Sequence, residues 1–161
     1  MLLFILFLIG VEPHFSVGGG IALPSGDFAD ERKTSPYFFA KGGIFVSEFL
    51  DFGIRLDTYT SFSSKQSSPT LTILDFLGSF GVASREFIRG SSLFLNMGMG
   101  PFILFQTPPL VHFGLRTNVS ISHKISQNVD ILPEFGFTIF FRGYNRVAPI
   151  FTVSLAVQMY P

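Results

Sequence analysis

Residues 129–141 read VDILPEFGFTIFF, a stretch in which two kinds of side chain alternate. The odd-numbered positions are apolar: Val129, Ile131, Pro133, Phe135, Phe137, Ile139 and Phe141. The even-numbered positions include Asp130, Glu134, Gly136 and Thr138. A period of two residues indicates a β-strand with one apolar and one polar face. The stretch is about twice as long as the ~5–6 residues of a globular strand, and it suits a tilted transmembrane strand, which needs about 9–11 residues.

The same alternation recurs along the chain and is interrupted by Gly, Pro, Ser and Asn, which are common at turns. We predict eight strands, at residues 13–23, 37–48, 50–62, 70–83, 91–106, 111–122, 129–141 and 148–160. The connections after the second, fourth and sixth strands are compact, whereas those after the first and third are long. Short turns at one end and long loops at the other are typical of outer-membrane barrels with periplasmic termini. The sequence therefore predicts an all-β fold, an eight-stranded antiparallel up-and-down transmembrane β-barrel.

Charged side chains are scarce, at 14% of the chain, against roughly 25% in an ordinary soluble domain. Eight of them fall within predicted strands: Lys41, Arg55, Asp57, Asp75, Arg116, Asp130, Glu134 and Arg142. All eight lie on the face opposite the large aliphatic and aromatic side chains. Because an Arg or Lys facing lipid at mid-bilayer costs about 2–4 kcal/mol, this distribution favours an apolar face toward lipid. The alternative is a lipocalin-like soluble barrel, which buries the apolar face instead.

The polar face predicts a side-chain network inside the barrel. Its predicted members are Lys41, Arg55, Asp57, Asp75, Asn96, His112, Arg116, Asn118, Asp130, Glu134 and Arg142. A barrel of eight strands is just wide enough for side chains to fill it, and the four bases and four acids among these residues can neutralise one another. We therefore expect a plugged lumen and a structural or surface-interaction role. A narrow channel or a small-ligand barrel is the alternative.

The first residues differ from the rest of the chain. Residues 1–9 read MLLFILFLI, which is far short of the ~20 apolar residues of a transmembrane helix and matches the apolar core of a signal peptide. A buried first strand is the alternative. We assign residues 1–12 to a signal-peptide remnant or N-terminal lead, and residues 13–161 to the barrel domain. The 11 basic and 11 acidic residues cancel, so no nucleic-acid partner is indicated.

The sequence contains no motif that indicates a catalytic, metal or cofactor site. His14, His112 and His123 lie on separate segments without paired ligand spacing, and there is no Cys. The stretch from Ser122 to Ser126 is the nearest match to the Ser–His pair of lipid A acyl hydrolases, and we expect its His123 to lie in a periplasmic turn. It departs from the His-x-Ser arrangement of those enzymes, so hydrolysis is only a minor alternative. A charged surface loop is predicted at Asp27, Asp30, Glu31, Arg32 and Lys33.

Two further stretches carry a family resemblance. Residues 15–28, FSVGGGIALPSGDF, resemble the Gly-rich first strand and loop entry of small bacterial outer-membrane barrels of the OmpA/OmpX type. Residues 151–161 are similar to the C-terminal strand that the barrel-assembly machinery recognises, although Pro161 follows Tyr160 where a terminal aromatic is usual. The resemblance implies an integral protein of the bacterial outer membrane with both termini periplasmic. Its implied partners are outer-membrane lipid, the assembly machinery, and envelope or extracellular molecules at the loops.

Overall fold

The computed structural model describes residues 11–61, 71–84, 90–106, 108–141 and 147–161. The strands run Glu12–Pro24 (β1), Ser35–Ser47 (β2), Leu50–Ser61 (β3), Leu71–Ala83 (β4), Ser91–Phe105 (β5), Leu110–Ser126 (β6), Val129–Phe141 (β7) and Val147–Met159 (β8). A short helix, α1, spans Asp27–Glu31. The expectations for residues 1–10 and Arg142, and the predicted strand ends at 62 and 70, lie outside the described residues.

The strands form a closed barrel in chain order, and every pair of neighbours is antiparallel. Closure is made by β1 and β8, whose register runs from Phe15 opposite Met159 to Pro24 opposite Ile150. The predicted all-β, eight-stranded antiparallel barrel is therefore confirmed. Among the described residues, no helix is long and apolar enough to cross a membrane.

Burial decides which face points inward. Along β7 the apolar side chain of Phe135 is 65% exposed, whereas its neighbour Glu134 is buried. Along β6 Leu115 is exposed and Arg116 is 1% exposed. The exterior is thus a continuous belt of large apolar side chains, which only an apolar phase covers without cost. This result contradicts the lipocalin-like alternative.

Strand β6 extends four residues beyond the end of the predicted segment, which was Ser122. Its alternation continues through Ile121, His123 and Ile125, which are all exposed, and Lys124 pairs with Asp130 of β7 before a register shift ends the ladder. The expectation that His123 lies in a turn is therefore wrong. Three of the four residues in this extension are polar, which disguised its strand periodicity.

The predicted surface loop at 27–33 contains helix α1. Asp27, Asp30 and Lys33 are exposed and Arg32 is partly buried, while Glu31 ends the helix. Phe28 points inward and is almost fully buried. A helix of five residues is too short to be stable alone, so burial of Phe28 is the interaction that holds it over the barrel mouth. Sequence periodicity cannot detect so short a helix.

Candidate functional site: the barrel lumen

The middle of the lumen is closed by one carboxylate shared between two guanidinium groups. Arg55 donates from Nη2 to Oε1 of Glu134 at 2.6 Å and from Nη1 to Oε2 at 2.9 Å. Arg116 donates to the same Oε1 at 3.1 Å, and Asn118 donates to Oε2 at 3.0 Å. All four side chains are buried. Such bidentate, charge-assisted hydrogen bonds offset the cost of burying the charges.

A second acidic centre lies on β3 and β4. Asp57 accepts from Nε of Arg55 at 2.9 Å and from the hydroxyl of Tyr37. Asp75 accepts from the backbone N–H of Asp57 at 3.0 Å and from the hydroxyl of Tyr59 at 3.1 Å. The rings of Tyr37 and Tyr59 stack with centroids 5.1 Å apart. Through these two tyrosines the polar network extends to the apolar end of the lumen.

Arg116 crosses the barrel and connects this centre to the opposite wall. Its Nη1 donates to Thr138 at 2.9 Å and to Tyr59 at 3.2 Å, and its Nη2 donates to Thr152 at 2.9 Å. Space for the guanidinium comes from Gly136, where an added Cβ would lie 2.3 Å from Nη2 of Arg116 and 2.4 Å from Oγ1 of Thr152. The glycine on the inner face is therefore part of the arginine site.

The crowding around Gly136 and the open surroundings of Gly42 predict different effects for the two glycine-to-alanine substitutions. Gly136→Ala is expected to lower the free energy of unfolding by about 1–3 kcal/mol, because the added methyl overpacks an arginine fixed by several hydrogen bonds. The matched control is Gly42→Ala on the outer face, where nothing lies within 4 Å of an added Cβ. That change is expected to be neutral or to stabilise by up to about 1 kcal/mol. Urea unfolding in lipid vesicles measures both, and equal effects would contradict the assigned role of Gly136.

A third centre lies toward the end of the barrel where β1 begins and β8 ends, which we call the terminal end. Lys41 donates to Asp51 and, at 3.2 Å, to Oδ1 of Asn96. Nε2 of His14 lies 3.5 Å from Oδ1 of Asp51. Sequence reasoning left Asp51 and His14 out of the lumen. Every second side chain of β3 points inward, so the predicted lumen residues Arg55 and Asp57 already indicate that Asp51 lies on the same face.

Asp130 is the predicted lumen acid nearest the terminal end. Its Oδ2 accepts from Ser122 at 2.5 Å and from the hydroxyl of Tyr160 at 3.0 Å. Gln158 donates to the same hydroxyl at 2.6 Å. Burial raises the pKa of Tyr160, and the negative charge of Asp130 raises it further. The phenol therefore stays protonated and donates to that carboxylate.

The described part of the lumen contains one acid more than the four expected, Asp51, whereas the fourth expected base, Arg142, lies outside the described residues. Among the described residues, the buried bases are Lys41, Arg55 and Arg116, and the buried acids are Asp51, Asp57, Asp75, Asp130 and Glu134. Asp75 and Asp130 have no cationic partner within this part of the chain, and hydroxyl groups hydrogen-bond to them instead. His112 lies apart from these centres, half-buried and 6.1 Å from the ring of Phe140.

The other end of the lumen is filled by aromatic rings. Phe102 stacks on Phe140 with centroids 5.7 Å apart, and Phe28 from α1 meets Phe140 edge-on at 5.6 Å. Ile73 and Leu104 are buried in the same cluster. We call this group the aromatic plug. It seals the end of the barrel that carries α1 and the longer connections.

Described residues line two cavities below the plug. One, of about 20 Å³, lies between the Lys41 and Glu134 centres and has room for about one water molecule. The other, of about 900 Å³, opens at the terminal end between Glu12, Glu48 and Tyr160. Neither of these two cavities extends to the residues of the aromatic plug.

The two serines of the possible hydrolase stretch bond to other residues than His123. Ser122 points into the lumen and donates to Asp130, and the hydroxyl of Ser126 accepts from the backbone N–H of Asn128. His123 points outward and lies 2.9 Å from the hydroxyl of Ser91. Within the described residues, no cluster of three or more His, Cys, Asp or Glu side chains is arranged for a metal ion.

A closed barrel of eight antiparallel strands with an apolar exterior and a filled polar lumen is the fold of the small outer-membrane β-barrels. No protein-family model matches the chain, and no curated protein sequence matches it.

Several solved barrels are similar to this chain in structure. Neisserial surface protein A is similar with a TM-score of 0.70 and 13% identity, covering 93% of this chain and 96% of its own. The N-terminal β-barrel domain of OprF from Pseudomonas aeruginosa has a TM-score of 0.61 at 6% identity, covering 93% and 98%. The attachment invasion locus protein Ail of Yersinia pestis has a TM-score of 0.57 at 13% identity, covering 93% and 98%. At such low identities these similarities show a shared fold.

Proposed function

We propose that this protein is an integral outer-membrane protein with a plugged lumen and a structural or surface-interaction role, without catalysis. The observation that carries the proposal is the closed lumen, where the Arg55–Glu134–Arg116 centre fills the middle and the aromatic plug fills one end. Ser122 bonds to Asp130 and Ser126 to the backbone of Asn128 rather than to His123, which supports a role other than hydrolysis. Insertion by the barrel-assembly machinery and periplasmic termini belong to the same proposal.

The surface available for interaction is the end of the barrel that carries α1. Asp27 and Asp30 are exposed there on α1, and Lys33 is exposed just beyond it. Phe28 fixes this helix to the barrel. The structurally similar Ail is an attachment invasion locus protein that has also been solved with the heparin analogue sucrose octasulfate. We propose envelope or extracellular molecules as partners of this charged end.

Solute flux tests the plugged lumen directly. The full chain refolded into lipid vesicles is expected to give a heat-modifiable band on SDS gels and no sugar uptake above that of empty vesicles. The gel first establishes that the barrel is folded, so that an absence of flux has meaning. Sugar-dependent swelling by a heat-modifiable sample would contradict the plugged lumen and favour the channel alternative.

A further inference from the structure

The cavity at the terminal end, which we call the vestibule, has the dimensions of a ligand site. Its volume is about 900 Å³, within the range of about 300–1,000 Å³ that small-molecule sites occupy. The filled lumen closes its inner end, since the next cavity holds only about 20 Å³. The vestibule is therefore a pocket with one opening.

Aromatic rings form one wall of the vestibule. Phe45 stacks with Tyr160 at a centroid distance of 6.4 Å and packs against Phe94 at 5.8 Å. All three residues line the pocket. Aromatic faces attract cations, and the attraction is strongest where water is partly excluded.

Carboxylates form the other polar feature of the vestibule. Glu12 and Glu48 line it and are exposed, and neither has an ion-pair partner within the described ranges. Asp130 lines its inner part at only 8% exposure. Both hydrogen bonds to Asp130 fall on Oδ2, so Oδ1 lacks a donor among the described residues. Lys124 is the single base among the described lining residues.

We infer that the vestibule binds an organic ammonium ion. Three carboxylates against one lysine favour a cation over an anion, and the aromatic wall favours a cation that carries alkyl groups over a hydrated inorganic one. Asp130 Oδ1 supplies an acceptor for an ammonium N–H. The chemistry fits a free polyamine or the lysine side chain of another protein. It does not rest on the proposed function, because the mouth opens to water whichever way the barrel is oriented.

Titration of the refolded full chain in zwitterionic detergent tests this site, with spermidine as the first probe and acetyl-Lys-Lys-Lys-amide as the second. We expect saturable NMR shifts of the amides of Phe45, Asn128 and Tyr160. Saturation by spermidine alone assigns the site to free polyamines, and saturation by the peptide assigns it to lysine side chains. Absence of saturable shifts with both probes overturns the inference.

Variants separate the site from general charge attraction. Glu12→Gln/Glu48→Gln is expected to weaken spermidine binding about fivefold, and Phe45→Leu about threefold through loss of the aromatic face. Asp27→Asn, an acid removed at the opposite end of the barrel, is the control and should leave the affinity unchanged. The heat-modifiable band verifies folding of each variant. Equal affinity in the vestibule variants and the control overturns the inference.

Discussion

Replacing Glu134 with alanine is expected to lower the free energy of unfolding by about 3–5 kcal/mol, because it leaves two buried guanidinium groups without their shared carboxylate. Arg55 and Arg116 both donate to Glu134, and both are at most 3% exposed. Asn118 loses an acceptor in the same step. Urea unfolding in lipid vesicles, followed by far-UV circular dichroism, measures the loss.

The control for this prediction is Glu48→Ala. Glu48 is an exposed glutamate in the turn between β2 and β3, where substitutions usually change stability by no more than about 0.5 kcal/mol. Equal stability of Glu134→Ala and Glu48→Ala would show that the mid-lumen centre does not stabilise the barrel.

A second large effect is expected on the outer face. Met97 lies near the middle of β5 and is 56% exposed, with Phe80 and Thr117 beside it on the neighbouring strands. Met97→Arg is expected to cost about 2–4 kcal/mol in lipid, because the charge falls near the bilayer midplane. The same unfolding experiment measures it.

Position along the strand provides the control. Val111 is the second residue of β6 and is also exposed on the outer face. Since the cost falls to about 0–1 kcal/mol near the interface, Val111→Arg should be tolerated. Equal penalties at the two positions would show that depth in a bilayer does not set the cost.

The strands and the polar interior could be predicted from the sequence because a single physical constraint, lipid outside and polar groups inside, acts on nearly every second residue. Arg116 and Glu134 follow that alternation within long, regular stretches, and both lie in the lumen. Periodicity assigns a face reliably where the polar and apolar residues differ strongly.

The remaining parts of the site depend on contacts that periodicity does not contain. Tyr37 is an aromatic residue at the start of a Gly-rich strand, and its membership in the network follows only from its hydrogen bonds to Asp57 and Arg55. Phe28 seals the barrel from a helix that tertiary packing alone stabilises.

The most direct test of a membrane-spanning barrel is whether its apolar outer face contacts acyl chains. The chain has no Trp, so Met97→Trp provides a single fluorescent probe at the middle of the proposed lipid-facing belt. If this face contacts lipid, bromine on the acyl chains of the vesicles is expected to quench the tryptophan strongly. An unquenched tryptophan in a chain that also folds to a monodisperse state without detergent or lipid would contradict a membrane-spanning barrel.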